Sequence, residues 1–251
     1  MLGRLPEFLV IGAQRAGTTS LYEYLTRHRD IAPAARKETH FFSLFYLRGL
    51  RWYREQFPGG GGITGEATPY YLFHPAAPAR VRTDCPDVRL IVLLRDPVER
   101  AFSQYKHSVK QGWESLSFEE ALREEPNRLR HEDDRRLSDP SYRSFAHQHL
   151  SYGARGRYSQ QLERWLERFP RQQLLVLSSE SFFRDPQDVL TRTFRFLGVP
   201  DQAIGPFEPR NVSTSAAAMA EETRARLRDH FSPQNARLFA MLGDDFGWND
   251  A

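Results

Sequence analysis

Two glycines lie between an apolar segment and a helical pattern near the start of the chain. Residues 8–11 (FLVI) are typical of a buried strand, and apolar residues at helical spacing begin just after Ser20. Between them, Gly12 and Gly17 are separated by four residues. A strand, a glycine-rich turn and a helix point backbone N–H groups and the positive end of the helix dipole at an anion. The segment is therefore a candidate binding loop for a phosphate-like group.

The position of the cation distinguishes this loop from the phosphate-binding loop of nucleotide triphosphatases. In nucleotide triphosphatases the second glycine precedes a lysine, which contacts the β- and γ-phosphates, and a hydroxyl residue, which contacts magnesium. Here Thr18 and Thr19 follow Gly17, and Arg15 is the cation of the loop. The spacing favours a phosphate-like ligand held with a displaced cation. An ordinary tight turn between strand and helix is the alternative.

A second candidate site follows a second apolar strand. Residues 89–94 (RLIVLL) have the composition of a buried strand, which ends in Arg95 and Asp96 before a helix that carries Ser103. Open α/β sheets bind ligands at the carboxyl ends of their parallel strands. Arg95 is therefore a candidate ligand residue, and the alternative is a salt bridge to Asp96 or Glu99.

Residues 37–42 (KETHFF) combine charged and aromatic side chains directly after a predicted loop. In an extended segment, Glu38 and His40 would lie on the same face, two residues apart. The residues alone leave open whether this is a functional segment or a half-buried strand with Phe41 inside and Glu38 in solvent.

Composition limits the class of protein. A chain of 251 residues with 40% hydrophobic residues can form one α/β domain, and we expect a single domain over residues 1–251. No apolar run approaches the roughly 18 residues of a membrane helix. The start of the chain is too short for a signal peptide and Cys85 is the only cysteine, so we expect a reducing, cytoplasmic location without disulfides. A net charge of +3 without a basic, aromatic stripe does not predict a nucleic-acid partner.

Two of these segments resemble elements of one family. The loop GAQRAGTTSL resembles the 5′-phosphosulfate-binding loop of sulfotransferases that use 3′-phosphoadenosine 5′-phosphosulfate (PAPS), and RDPVERAFSQY resembles their 3′-phosphate-binding element. The motifs are closest to those of heparan-sulfate-type and bacterial sulfotransferases, and the resemblance covers nearly the whole chain. Two departures stand out: Arg15 replaces the usual lysine, and Ala67 replaces a lysine of the family's acceptor segment.

The resemblance implies a fold and a nucleotide site. The fold would be an α/β, P-loop-like three-layer fold with a central, mostly parallel sheet flanked by helices. PAPS would be the sulfuryl donor and 3′-phosphoadenosine 5′-phosphate (PAP) the product, and no metal would be required. The implied nucleotide-binding residues are Arg15, Ala16, Gly17, Thr18, Thr19, Ser20, Arg95, Ser103 and Arg210.

The resemblance also implies catalytic and acceptor residues. Glu38 would be the general base, with His40 beside it, and Arg15 would stabilise the leaving phosphate oxygen. The acceptor, a carbohydrate or a small molecule, would contact Lys37, Glu66, Tyr70 and His107. For Tyr70 packing inside the protein is the alternative. The loss of a lysine at Ala67 argues against a highly sulfated or uronate-rich acceptor.

The predicted reaction is transfer of a sulfuryl group to an acceptor hydroxyl, with two alternatives. A P-loop phosphotransferase using ATP would have lysine at position 18 and an aspartate after the second strand, where the chain has Thr18 and Arg95. A non-catalytic nucleotide-binding relative would lack the base, whereas Glu38 is present. Residues 114–151, rich in charges of both signs, are either a solvated insertion or an acceptor lid.

Overall fold

The computed structural model describes residues 3–57, 59–207 and 218–248. Arg210, a predicted nucleotide-binding residue, lies outside these residues. The chain divides into two compact units, which are Met1–Leu94 with Trp165–Arg210, and Arg95–Arg164 with Asn211–Ala251. That residues 1–251 act as a single domain stays a prediction.

Strands and helices alternate along much of the chain. The strands are β1 (Phe8–Gly12), β2 (Ile31–Pro33), β3 (Ile63–Ala67), β4 (Arg89–Leu94) and β5 (Leu174–Ser178). The α-helices are α1 (Thr18–Leu25), α2 (Gly49–Arg54), α3 (Ala77–Asp84), α4 (Pro97–Lys110), α5 (Phe118–Arg128), α6 (Glu132–Ser138), α7 (Phe145–His149), α8 (Tyr158–Leu166), α9 (Ser179–Arg184), α10 (Pro186–Leu197) and α11 (Glu221–Leu242). Short 3₁₀ helices lie at Tyr46–Arg48, Pro69–Tyr71, Ala154–Gly156 and Arg171–Gln173.

The first unit is built on a five-stranded parallel sheet in the order β2-β3-β1-β4-β5. Every residue of β1 is buried, as is nearly all of β4, because a parallel sheet is covered by helices on both faces. The predicted α/β fold with a central parallel sheet is confirmed. In this arrangement the carboxyl ends of β1, β3 and β4 lie side by side at one edge, where the candidate loops begin.

The second unit packs α4 and α11 around an apolar cluster that includes Phe102, Tyr152 and Phe231. Gly156 allows the 3₁₀ helix Ala154–Gly156 to lie close to Phe231 of α11, since a Cβ at this position would lie 2.6 Å from the ring of Phe231. Along the described ranges, no helix combines the length and apolarity needed to cross a bilayer.

Candidate active site

The loop between β1 and α1 is held in one tight conformation. The Ala13 N–H donates to the carbonyl of Leu93 at 2.7 Å, and the Ala16 N–H donates to the carbonyl of Ala13 at 3.2 Å. Gly17 is the N-cap of α1 with a φ of 98°, and a Cβ there would lie 2.8 Å from the ring of Phe183. Both the left-handed backbone and the close contact require glycine.

The N-terminal end of α1 is open to an anion. Its first turn has no acidic residue, and among the described residues no side chain caps it. Thr18 and Ser20 are almost fully buried, and the backbone N–H groups of this first turn have no acceptor within the helix, so these N–H groups are the candidate donors. The hydroxyl of Ser179, directly after β5, donates to the carbonyl of Ala16 at 2.7 Å and so ties the loop to the end of β5. Sequence reasoning missed Ser179, although its place at a strand end was a usable signal.

The segment around Glu38 is not the extended stretch that the sequence predicts. Glu38 and His40 have left-handed φ values of 57° and 53°. The carbonyl of His40 accepts hydrogen bonds from the N–H groups of Ser43, Leu44 and Phe45, which turn the chain at once. Both the extended geometry and the alternative half-buried strand are therefore wrong. Glu38 and His40 still meet, with Glu38 Oε2 3.5 Å from His40 Nε2.

The surroundings of Glu38 favour its ionised form. Partial burial acts to raise the pKa of Glu38, but the hydrogen bond with His40 and the charge of Lys37 outweigh it and hold the pKa below the ordinary value. Lys37 Nζ lies 3.2 Å from Glu38 Oε1, and the side chain of Glu38 is 40% exposed. The result is a charged carboxylate that solvent can reach, as a general base requires.

Lys37 also connects this segment to α1. Its Nζ donates to Thr19 Oγ1 at 2.6 Å, in the first turn of the helix. The ammonium group thus lies between the carboxylate of Glu38 and the N-terminal end of α1. The sequence predicts Lys37 as an acceptor contact, and the structure brings it to the loop as well.

Glu66 has a different environment from the one expected of a substrate contact. It is fully buried at the end of β3. Its carboxylate accepts five hydrogen bonds, two from Thr39 and one each from Tyr53, Thr68 and Tyr71, at 2.6–3.1 Å. Burial raises the pKa of Tyr53 and Tyr71 well above 10, so both hydroxyls remain donors. In this structure Glu66 fastens Thr39, and with it the neighbouring Glu38, to the sheet.

Two further residues support the same turn. Tyr70 is almost fully buried, with its ring centroid 6.2 Å from that of His40. Arg80 donates to the carbonyls of Phe42 and Ser43 at 3.0 and 3.1 Å. The pattern of α3 gave no signal for Arg80, since its partners lie 37 and 38 residues earlier in the chain.

In the second unit, α4 begins where the sequence predicts. Asp96 caps the helix by accepting the Glu99 N–H at 2.9 Å, and Pro97 occupies the first turn. The salt bridge that was the alternative to a ligand role for Arg95 is present at a long distance, with Arg95 Nη2 3.9 Å from Glu99 Oε2. Glu99 also pairs with Arg224, so that this carboxylate is shared between two guanidinium groups.

The remaining predicted residues of this unit lie along α4. Tyr158 donates its hydroxyl proton to the carbonyl of Arg95 at 2.9 Å, which fixes the entry to the helix. Ser103 is 9% exposed, and His107 follows one turn later with its ring centroid 5.7 Å from that of Trp113. The ligand roles of Arg95, Ser103 and His107 stay predictions. In the described part of the chain, no cluster of His, Cys, Asp and Glu side chains could hold a metal ion.

Comparisons with known proteins give one consistent result. Residues 5–243 match the sequence profile of a family described as "Sulfotransferase domain". Heparan sulfate glucosamine 3-O-sulfotransferase 3B1 of Mus musculus is 33% identical over 98% of this chain and 65% of its own length. Heparan sulfate glucosamine 3-O-sulfotransferase 6 of Homo sapiens is 32% identical over 98% and 74%. Membrane-associated sulfotransferase kil1 of Dictyostelium discoideum is 29% identical over 98% and 67%.

The chain thus spans about two thirds of the length of the first of these curated relatives. A solved structure matches over nearly its whole length. The crystal structure of a sulfotransferase from Alicyclobacillus acidocaldarius is 33% identical, with a TM-score of 0.82 over 98% of this chain and 99% of that one.

Proposed function

The chain belongs to the sulfotransferase domain family, and from this membership we propose that it transfers a sulfuryl group from PAPS to a hydroxyl of a carbohydrate acceptor. The observation that carries the proposal is the contact of Lys37 with both Thr19 of the anion-binding turn and the carboxylate of Glu38. A base and an anion-binding helix end, joined by one ammonium group, suit a reaction between a hydroxyl and a bound anion.

Glu38 acts as the general base in this proposal. It takes the proton of the acceptor hydroxyl while the acceptor oxygen forms a bond to sulfur. The bond between sulfur and the bridging phosphate oxygen breaks, and PAP leaves with that oxygen. A positioned base contributes about 10²- to 10⁴-fold to such a rate. The lowered pKa of Glu38 supports this role, since the carboxylate is ionised at neutral pH.

Arg15 and the N–H groups of Gly17, Thr18 and Thr19 stabilise the charge that develops on the leaving phosphate oxygen. The open first turn of α1 and its lack of acidic residues support this assignment. Arginine replaces the family's usual lysine here, so its planar fork donates two hydrogen bonds where an ammonium group would act as a point charge.

Arg95 and Ser103 bind the 3′-phosphate of the nucleotide in this proposal. Hydrogen bonds hold the part of the chain that carries both residues. The Tyr158 hydroxyl fixes the backbone of Arg95, and the Asp96 cap fixes the start of α4.

Glu66, Thr39 and Arg80 take part in no chemical step. They hold the turn that carries Glu38. We also propose a cytoplasmic location and a bacterial origin for the protein.

Calorimetric titration tests the donor. Metal-free protein is titrated with PAP and, separately, with ATP and magnesium. We expect tight PAP binding without metal and much weaker ATP binding. A preference for ATP that depends on magnesium would refute the sulfotransferase proposal and support the phosphotransferase.

Transfer of labelled sulfuryl from PAPS to heparosan and chitin hexasaccharides tests the base. Glu38→Gln should keep PAP affinity and lose about 10²- to 10⁴-fold in rate. Glu55→Gln, at an exposed carboxylate of the same unit, is the matched control and should leave the rate unchanged. If Glu38→Gln retains full turnover, another group is the base. If wild-type protein binds PAP but transfers nothing to any hydroxyl, the non-catalytic alternative holds.

A further inference from the structure

The short helix α9, directly after β5, contacts the loop between β1 and α1 at two neighbouring residues. Ser179, the first residue of α9, donates its hydroxyl proton to the carbonyl of Ala16 at 2.7 Å. Phe183, one turn later, lies against Gly17, since a Cβ at Gly17 would lie 2.8 Å from the ring of Phe183. We call Ser179 and Phe183 the loop contacts of α9.

The loop needs support from its neighbours because part of its backbone is left-handed. Arg15 has a φ of 71° and Gly17 a φ of 98°. This region is unfavourable for a residue with a Cβ, so the surroundings must hold Arg15 there. The other end of the loop is fixed on β4, where the Ala13 N–H donates to the carbonyl of Leu93 at 2.7 Å. The loop contacts of α9 fix the end that leads into α1.

Helix α9 is attached to the rest of the first unit by residues other than Phe183. Ser178, the last residue of β5, caps the helix by accepting the Ser181 N–H at 3.2 Å. Phe182 is fully buried, with its ring centroid 6.0 Å from that of Tyr24 on α1. These contacts place α9 beside the loop and do not involve the side chain of Phe183.

Phe183 itself contributes little to the core of the unit. It is 52% exposed, whereas the neighbouring Phe182 has no exposed surface. A ring that leaves half of its surface in water gains only part of the stabilisation that full burial gives. Burial in the core therefore does not explain an apolar side chain at position 183, whereas contact with Gly17 does.

The N–H groups at the start of α1 depend on the backbone that α9 contacts. Gly17 is the N-cap of α1, and the N–H groups of Gly17, Thr18 and Thr19 are the ones proposed above to stabilise the leaving phosphate oxygen. Donors that are held in advance bind an anion without the entropic cost of ordering a loop. Rotation of the backbone at Ala16 or Gly17 would turn these donors away from a common point. The loop contacts of α9 therefore affect the affinity for a 5′-phosphate without touching it.

We propose that Ser179 and Phe183 are positioning residues, which hold Ala16 and Gly17 so that the first N–H groups of α1 converge on the 5′-phosphate of the donor. The inference rests on the sulfotransferase function and adds to it a support that reaches the loop from 163 positions along the chain. Neither side chain takes part in bond formation.

Calorimetry with two nucleotides tests the positioning role. PAP carries a 5′- and a 3′-phosphate, whereas adenosine 3′-monophosphate has the same base and lacks the 5′-phosphate. Both affinities are measured for the wild type, Ser179→Ala and Phe183→Ala, with displacement of PAP for the weaker nucleotide. We expect each variant to lose about two- to tenfold in PAP affinity, the equivalent of one hydrogen bond. The affinity for adenosine 3′-monophosphate should stay unchanged, since this nucleotide does not use the loop.

Conservative and control variants separate positioning from other effects. Phe183→Leu keeps an apolar contact with Gly17 and should restore most of the PAP affinity. Ser181→Ala, at a half-buried serine of α9, and Leu47→Ala, at a residue of the same unit that is 69% exposed, should leave both affinities unchanged. Urea titration shows whether each variant is folded. If Ser179→Ala is unfolded, Phe183→Ala, at the exposed residue, decides the test. If adenosine 3′-monophosphate does not displace PAP, the contrast between Phe183→Ala and Phe183→Leu decides it.

Each other outcome has a separate meaning. Equal losses of affinity for both nucleotides, with no recovery in Phe183→Leu, would mean that the ring stacks on the base, and would overturn the positioning role. Unchanged PAP affinity in both alanine variants would mean that the loop keeps its conformation without α9, and would also overturn it. Failure of the wild type to bind PAP would overturn the proposed function itself.

Discussion

Lys37→Met removes the ammonium group that joins Glu38 to α1 and keeps a side chain of similar length. Lys37 Nζ lies 3.2 Å from Glu38 Oε1, and the two side chains are 35% and 40% exposed. Ion pairs with this exposure contribute about 0.2–1 kcal/mol. Without this partner the pKa of Glu38 should rise towards its ordinary value.

The direction of the pH effect follows from the sign of that shift. Glu38 has a lowered pKa in the folded protein, so it is active as a base above that pKa and protonated below it. Raising the pKa moves the acid limb of the kcat/KM profile to higher pH. The small stabilisation that the ionised carboxylate gives the fold would also be lost at a higher pH than in the wild type, as acid protonates it.

A second effect of Lys37→Met concerns the anion. Lys37 Nζ donates to Thr19 in the first turn of α1, where a cation adds to the attraction of the helix end for an anion. A charge in this setting contributes about 0.3–1 kcal/mol, which corresponds to roughly two- to fivefold in PAP affinity.

The assay is transfer of labelled sulfuryl from PAPS to the hexasaccharides between pH 4 and 8, with PAP calorimetry in parallel. Lys37→Arg should restore most of the wild-type profile, and Lys110→Met, an exposed lysine of the other unit, controls for the change in net charge. An unmoved acid limb together with unchanged PAP affinity would refute the proposed link between the base and the loop.

Four further changes probe the fold and the nucleotide site. Glu66→Gln should lower the free energy of unfolding by about 3 kcal/mol in urea titrations, because an amide nitrogen would then face hydroxyl donors. Gly17→Ala should cost about 1–2 kcal/mol and weaken PAP binding, because φ is 98° and the added Cβ meets Phe183. Ser103→Ala should weaken PAP binding about tenfold in calorimetry. Burial lowers the pKa of His147 from 6.5 to about 4. As the pH drops, the unfolded chain therefore binds this proton before the folded protein does. Urea titrations should show that the free energy of unfolding falls between pH 6.5 and pH 4.

Each of these changes has its own control. Tyr53→Phe removes one of the hydrogen bonds to Glu66 and should cost only about 1–2 kcal/mol. Gly49→Ala has a comparable φ of 79° with open space at the Cβ, so it should cost stability and leave PAP binding unchanged. Ser115→Ala, at an exposed serine, should not affect PAP affinity. His147→Gln should flatten the pH dependence, and an unchanged slope would mean that another group titrates.

Local patterns in the sequence predicted the strands and helix starts that carry the two candidate loops. The continuous apolar runs of β1 and β4 indicated strands buried on both faces, because only a covered parallel sheet buries every residue of a strand. Gly12 and Gly17 predicted the turn between β1 and α1, since Gly17 has a backbone conformation that glycine adopts readily. Asp96 came directly before a predicted helix whose start the structure confirms, because a cap joins residues only three apart.

The tertiary structure alone decided how the candidate base is held and what surrounds it. Glu38 lies in a turn fastened by Glu66 and Arg80, 28 and 42 residues away, and no local pattern encodes bonds over such distances. The contact of Lys37 with Thr19 joins residues 18 positions apart, and the ring contact of Trp113 with Phe145 joins residues 32 positions apart. Propensity and capping act over a few neighbouring residues, whereas these contacts exist only after the sheet and helices have packed. The sequence by itself determined the elements and the loop chemistry, and packing determined which side chains meet there.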